Sequence, residues 1–258
     1  MSHLVHTEEV WDTVVSLHLI GPGAERARDA IVAWLHEVDD LLSTFRPETP
    51  LARWRRGELA LDACPPAVRE VLEAAQTAER RTGGAFDPCW AGGRPDPTGL
   101  VKGWAADAAV ARALACGVEG VQVNAGGDVR TAGSPGDGRP WRLGIEAPGL
   151  PGQLLDVVAG HELCLATSGI DQRGAHVLRN GRPSRGAISV TVAGPDLARA
   201  DAYSTAALAL GAEALPLLRE LDAEGFSSLL VRADGELFAS PTWPGLHHGA
   251  PTGAASAT

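Results

Sequence analysis

Between residues 24 and 43 the apolar positions Ala27, Ile31, Leu35, Val38 and Leu42 follow one another at spacings of four and three, which places them on one face of a helix. Just before it, the β-branched and apolar run TVVSLHLI at 13–20 meets Gly21-Pro22-Gly23, the pattern of a strand closed by a turn. Pro65-Pro66 starts a second predicted helix, which turns Val68, Val71, Leu72 and Ala75 inward until Thr82-Gly83-Gly84 stops it. The run WAADAAVARALAC predicts a third helix from near Lys102 to Gly117, a residue suited to a left-handed C-cap. Short strand-like runs then take over at 121–124, 141–147, 154–158, 163–167 and 187–193. Two further helices, near 199–210 and 212–222, lead to a closing hairpin of FSSLLVRA and ELFAS around Asp234-Gly235.

Helices gathered early and strands gathered later predict an α+β fold rather than a repeated βαβ winding. The expected architecture is a single compact domain over 1–240, a mixed or antiparallel sheet with flanking helices, and no internal repeat. The stretch 241–258 is rich in Gly, Ala, Pro, Ser and Thr and is expected to be a disordered tail that carries no core. Its His247 and His248 are neighbours in sequence, a poor geometry for chelation.

Composition narrows the function classes. A chain of 258 residues that is 45% hydrophobic has enough apolar surface for a real core. Its 32 acidic residues outnumber 22 basic ones, and a formal charge of -10 excludes a general nucleic-acid or membrane-surface binder. An anionic substrate would need local positive charge, which a bound divalent cation supplies where a phosphate sits. No run of about 18 apolar residues is present to span a bilayer. The segment MSHLVHTEEVWD has no basic n-region, apolar stretch or cleavage pattern, and Cys64, Cys89, Cys116 and Cys164 show no CxxC spacing. Both features suit reduced thiols and a cytoplasmic location.

The candidate chemistry starts at Asp201 and Thr205, four residues apart on a predicted helix, where a carboxylate and a hydroxyl can converge on one point. Two hard oxygen ligands suit Mg²⁺, an ion that keeps positions open for substrate phosphates. The alternative is the polar face of a helix buried through Ala202, Ala206, Ala207 and Leu210. Gly99, Gly103, Gly126, Gly127 and Gly169 stand at strand ends or helix starts, where bare backbone can approach a phosphate closely. Asn124 to Asp128 is either a ligand-facing strand end or a hairpin turn, and Ala166-Thr167-Ser168-Gly169 either caps a turn or meets a phosphate. His176, with Arg173 and Arg179 nearby, is either a proton acceptor or a structural histidine at a strand end. Lys102 at a helix start opposes the macrodipole preference, which suggests that it answers an anion. The cluster Arg53-Trp54-Arg55-Arg56 reads as a solvated face without a role, and no G-x-S-x-G pattern supports a serine hydrolase.

Taken in order, several segments resemble the ApbE-like family of FAD:protein FMN transferases: Leu42-Ser43-Thr44-Phe45-Arg46-Pro47, Gly83 to Pro88, Asp96 to Asp107, Asn124 to Asp128, Ala166 to Gly169, His176, and Ser189 to Val192 followed by Asp201 to Thr205. The similarity covers roughly residues 11–240. It implies an ApbE-like, T-fold-related domain and a Mg²⁺-dependent enzyme that binds FAD and cleaves its pyrophosphate. The FMN half is then joined by a phosphoester to a threonine or serine of a target flavoprotein, and AMP is released. By position, the family's metal ligands fall on Asp201, Thr205 and the backbone carbonyl of Gly99. Its flavin-nucleotide contacts fall on Trp11, Phe45, Ala85, Phe86, Asp87, Asp96, Lys102 and Leu178, and its proton acceptor on His176, which with Asp201 makes up the implied catalytic pair.

The chain departs from that pattern in four places. Trp11-Asp12-Thr13 stands where the family commonly shows Met-Gly-Thr, and Phe45 where it has a tyrosine, which keeps ring stacking and loses a phenolic hydrogen bond. The segment between Pro88 and Asp96 is short, and the Asp-Pro that often follows the histidine is missing after His176. Two other functions remain open on the sequence: an FAD pyrophosphatase that yields FMN and AMP, and a non-catalytic FAD carrier.

Overall fold

The computed structural model describes residues 2–90, 93–170, 178–179, 182–183 and 186–245. Its strands are β1 (His3–Val10), β2 (Thr13–Ile20), β3 (Gly120–Ala125), β4 (Asp128–Gly133), β5 (Trp141–Glu146), β6 (Leu154–Gly160), β7 (Cys164–Gly169), β8 (Leu178–Arg179), β9 (Arg182–Pro183), β10 (Ala187–Ala193), β11 (Ser227–Arg232) and β12 (Leu237–Ala239). Its α-helices are α1 (Ala24–Leu42), α2 (Pro50–Arg55), α3 (Pro66–Arg81), α4 (Thr98–Ala115), α5 (Leu197–Leu210) and α6 (Leu215–Ala223), with a 3-10 turn at Gly211–Ala214 between the last two.

Eight strands form one sheet in the order β1-β2-β3-β4-β7-β10-β11-β12, and every described pairing in it is antiparallel. β1 pairs with β2 across a two-residue turn, Trp11 and Asp12, both left-handed at φ 58° and 53°. Two left-handed residues match the twist of the flanking strands, though glycine or asparagine would fill those positions with less strain. The sequence pattern does not reveal β1, because HLVHTEEV places polar groups on both faces; the strand sits at the sheet edge, where that is tolerated. It does not reveal α2 either. Six residues are too few for periodicity, and the helix is set instead by Thr49, whose hydroxyl accepts from the Ala52 N–H, and by Pro50 in its first turn.

One face of the sheet carries the helices. Val15, Leu17 and Leu19 of β2, alternating with outward residues, meet Ile31, Leu35 and Val38 of α1 and the small-residue face of α4 at Ala105, Ala106, Ala109 and Ala113. α5 lies deepest, between α4 and strands β7 and β10, and buries residues all round. The other face is covered in part by the β5-β6 ribbon, where Trp141, Leu143, Ile145 and Val158 pack with Ile20, Leu165 and Leu229.

Trp243 joins this second core, with its indole N–H donating to Asp156 Oδ2 at 2.8 Å, and Gly245 bridges to Val158. The start of the expected tail is therefore packed: a large aromatic with a satisfied N–H outweighs the polar composition around it. Residues 246–258 lie outside the described residues.

Candidate active site

α4 begins at Thr98, one turn before the sequence pattern suggests, because Asp96 Oδ1 accepts from the Thr98 N–H at 3.0 Å and supplies a start signal that periodicity does not show. Lys102 is consequently in the second turn, not at the helix start. What it answers is acid from the chain itself: its Nζ lies 2.5 Å from Asp128 Oδ2 and 3.5 Å from Asp201 Oδ2. The macrodipole argument for an external anion at Lys102 is therefore replaced by this ion-pair geometry.

Asp128 is delivered by the β3-β4 hairpin. Gly126 and Gly127 turn at φ 64° and 103°, Asn124 Oδ1 accepts from the Gly127 N–H at 2.8 Å, and Ala125 pairs with Asp128. The motif forms a hairpin, and its consequence is a buried carboxylate aimed at α4. The other Asp128 oxygen accepts from the Thr167 N–H at 3.3 Å.

On α5, Asp201 is 5% exposed and Thr205 is half-buried one turn later, so the expected four-residue spacing on a helix is present. Thr205 Oγ1 lies 3.1 Å from Ser168 Oγ, which also meets Ser204 Oγ at 2.9 Å, and Ser204 donates to the Asp201 carbonyl at 3.0 Å. A hydroxyl network from β7 therefore fixes the α5 turns that carry both groups. Separately, Thr167 Oγ1 meets Thr191 Oγ1 of β10 at 2.9 Å.

α4 and α5 run antiparallel. Contacts pair Asp107 with Leu197, Gly103 with Leu197 and Ala198, and Lys102 with Asp201, so the first turn of α4, with Gly99, points along α5 toward Thr205. Gly103 is a packing residue and not a phosphate contact: a Cβ there would lie 2.6 Å from the Leu197 carbonyl oxygen. Gly99 rests on Phe86, whose Cε2 would be 3.0 Å from a Cβ at that position.

The remaining expected contacts are spread more widely. Trp11, half-buried, lines a cavity of about 520 Å³ between the β1-β2 turn and α1, together with Val10, Thr13, His36 and Asp39. Its indole Nε1 is buried and has no partner among the described residues. Phe45 is 83% exposed, Phe86 is 3% exposed within the core, and Ala85 is half-buried. Asp87 is exposed, and its Oδ1 accepts from the Cys89 N–H at 2.7 Å. Leu178 opens β8, and His176 lies outside the described residues.

Arg55 is the residue that sequence reasoning set aside. Its Nη1 pairs with Asp96 Oδ2 at 3.1 Å, which ties α2 to the start of α4, while its Nε is buried without a partner among the described residues. A signal was present: Arg55 is four residues after Leu51, and Leu51 is fully buried, so Arg55 shares the inward face of α2.

Among the described residues no group of three His, Cys, Asp or Glu side chains is placed to hold a metal. A carboxylate and a hydroxyl one turn apart suit a hard cation that takes few protein ligands and completes its shell from water and phosphate. They do not suit zinc or a thiolate-bound metal.

The model of the ApbE family matches residues 11–93 and 94–227. The FAD:protein FMN transferase of Rhodobacter capsulatus is 35% identical over 153 residues, 54% of this chain and 28% of that protein. The FAD:protein FMN transferase of Vibrio cholerae is 30% identical over 130 residues, 46% of this chain and 39% of that protein. The matched part thus spans well under half the length of these relatives. In fold, a crystal structure of the ApbE protein of Thermotoga maritima aligns with a TM-score of 0.84 at 22% identity, over 93% of this chain and 98% of that one. The flavin transferase ApbE of Vibrio cholerae aligns at 0.79 with 20% identity, over 94% and 98%.

Proposed function

The chain belongs to the ApbE family, and from that premise we propose that it is a Mg²⁺-dependent FAD:protein FMN transferase. The observation that carries the reading is the meeting of Lys102, Asp128 and Asp201 where α4 packs on α5, with Thr205 one turn beyond Asp201 on the same helix. The names of the curated relatives supply the activity, and this arrangement supplies groups able to perform it.

The reaction is a phosphoryl transfer. A threonine or serine oxygen of the target flavoprotein forms a bond to the FMN phosphorus, the bond from that phosphorus to the bridging oxygen breaks, and AMP leaves with the electron pair. Asp201, Thr205 and the Gly99 carbonyl would hold the cation, which supplies charge neutralisation for the pyrophosphate and the leaving AMP. Lys102, gripped by Asp128, keeps the Asp201 carboxylate oriented. His176 takes the proton of the attacking hydroxyl. Asp96, held by Arg55 and the Thr98 N–H, is set to accept from the nucleotide, and Trp11 and Phe45 offer ring faces to the flavin. No described helix is long and apolar enough to cross a membrane, and the four free thiols fit the reading of a cytoplasmic enzyme.

Incubation with FAD, Mg²⁺ and a flavoprotein domain bearing an acceptor threonine or serine is expected to add the mass of FMN less one water to the acceptor and release AMP. Free FMN with unmodified acceptor would establish the pyrophosphatase instead, and intact FAD held through the incubation would establish the carrier. Within the transferase reading, Arg55→Ala removes a largely buried partner of Asp96 worth about 1 kcal/mol, so KM for FAD should rise about fivefold with kcat close to native. An FAD titration of initial rates checks it; an unchanged KM removes Arg55 from the site.

A further inference from the structure

Asp107 is a half-buried carboxylate that the proposed chemistry does not use. It stands on α4, and its Oδ2 accepts from the Leu197 N–H, the first helical residue of α5, at 2.7 Å. The Ala198 N–H lies nearby and favours the charged form of the same carboxylate. The N-cap of α5, Asp196, accepts from the Arg199 N–H at 2.7 Å and leaves these two donors of the first turn to find partners elsewhere. The other Asp107 oxygen faces β4, where Arg130 Nε lies at 3.2 Å. Arg130 in turn donates through Nη1 to Cys164 Sγ of β7 at 3.2 Å. One side chain of α4 therefore binds the start of α5 and, through Arg130, two strands of the sheet.

We propose that Asp107 is a positioning residue: by capping α5 from α4 it fixes the axial register between the helix that bears Asp201 and Thr205 and the helix that bears Gly99 and Lys102. The geometry is that of two tie points and a spacer. Asp107 to Leu197 is one tie and Lys102 to Asp201 the other, about 7.5 Å apart along α4 and about 6 Å along α5. Between them Gly103 lets the two backbones touch. Removing the first tie leaves α5 free to slide by a fraction of a turn, which moves Asp201 and Thr205 together relative to Gly99.

The charge environment agrees with a role in placement. Burial, opposed by the Leu197 and Ala198 amides and by Arg130, pushes the Asp107 carboxyl up to about 6. Burial likewise holds the neighbouring Cys164 thiol at about 12, so it is neutral at working pH and adds no charge of its own. Folding thus favours the protonated acid. Any stability gained from that preference is full below about pH 4 and is lost as pH rises through about 6, so at neutral pH burial alone would favour an uncharged side chain here.

The catalytic consequence rests on the transferase reading. In the FMN-transfer assay, Asp107→Ala is expected to lower kcat about tenfold with KM for FAD within about twofold of native. Asp107→Asn, whose amide oxygen still accepts from Leu197, should return kcat to within about threefold of native. Native kcat in the alanine variant, or an asparagine variant no better than alanine, overturns the proposal. Should Asp107→Ala fail to fold, Asp107→Glu is measured in its place. The acid is then kept but reaches one methylene further, the same kcat loss is expected, and native kcat overturns the proposal. Amide exchange separates this claim from the activity. If the native protein transfers no FMN to any acceptor, the functional reading falls, and the register claim is decided by the Leu197 and Ala198 amides. Exchange at least about tenfold faster in Asp107→Ala, restored in Asp107→Asn and unaccompanied by change in α1, upholds it; native exchange rates overturn it.

Discussion

Asp201→Ala is expected to reduce Mg²⁺-dependent FMN transfer at least about a thousandfold and to leave the fold standing. The size follows from what is lost. A carboxylate that holds a cation against a pyrophosphate contributes several kcal/mol to the transition state, and each 1.36 kcal/mol is about tenfold in rate. The fold survives for three reasons. Alanine suits a helix interior better than aspartate. The Ser204 hydroxyl bonds the residue 201 carbonyl, which the substitution keeps. Lys102 retains Asp128 at 2.5 Å, so the ammonium is not left buried without a counter-charge. Rates are measured across a Mg²⁺ titration, with Asp201→Asn as a companion that keeps the side-chain shape and removes the charge. Activity above a tenth of native in both variants would take the metal ligand away from Asp201. A loss of thermal stability as large as the loss of rate would show instead that the carboxylate serves the core.

Which parts of this site the sequence discloses depends on how far apart the cooperating residues lie. Asp201 and Thr205 are one turn apart on one helix, and their convergence is legible from spacing alone. The partners of Lys102 are not: Asp128 is 26 residues away and Asp201 is 99, and no local pattern encodes either meeting. Without them Lys102 looks like a cation at a helix start, and the unseen bond from the Thr98 N–H to Asp96 completes that error. Gly103 shows the same gap in another form. A sequence displays the absence of a side chain and is silent on what approaches the bare backbone, which here is Leu197 and not a phosphate.

The elements divide along similar lines. α1 and α3 repeat their apolar positions over 19 and 16 residues, enough periods for the inward face to stand out. β10 follows the expected 187–193 throughout, because a continuous β-branched and apolar run suits a strand covered on both sides. β4, Asp128–Gly133, escapes notice because DVRTAG holds one large apolar residue, and its place is secured by the tight β3-β4 turn and by pairing with β3. Trp243 lies in a polar, proline-flanked stretch, and only its contact with Asp156 and the second core identifies it as structural.

Gly103→Ala tests whether the α4-α5 crossing sets the site, and it is expected to cost both stability and rate. A methyl group there would meet the Leu197 oxygen at 2.6 Å, the Leu197 carbonyl carbon at 2.7 Å and the Ala198 nitrogen at 2.8 Å. All three are backbone atoms at a helix start, so no rotamer change relieves the contact and the helices must part. Alanine gains about 1 kcal/mol of helix propensity over glycine. Overpacking against rigid neighbours costs about 1–3 kcal/mol and outweighs that gain, for a net lowering of Tm by about 5 °C. The effect on rate is larger in proportion. Parting the helices stretches both the Asp107 cap on Leu197 and the reach of Lys102 to Asp201, and a misplacement of about 1 Å between reacting groups costs about a hundredfold. Calorimetry and the FMN-transfer assay on one preparation read the two effects together. A higher Tm with native kcat would mean that helix propensity wins and that the crossing tolerates a methyl group. A lower Tm with native kcat would mean that the site keeps its geometry without the close approach at Gly103.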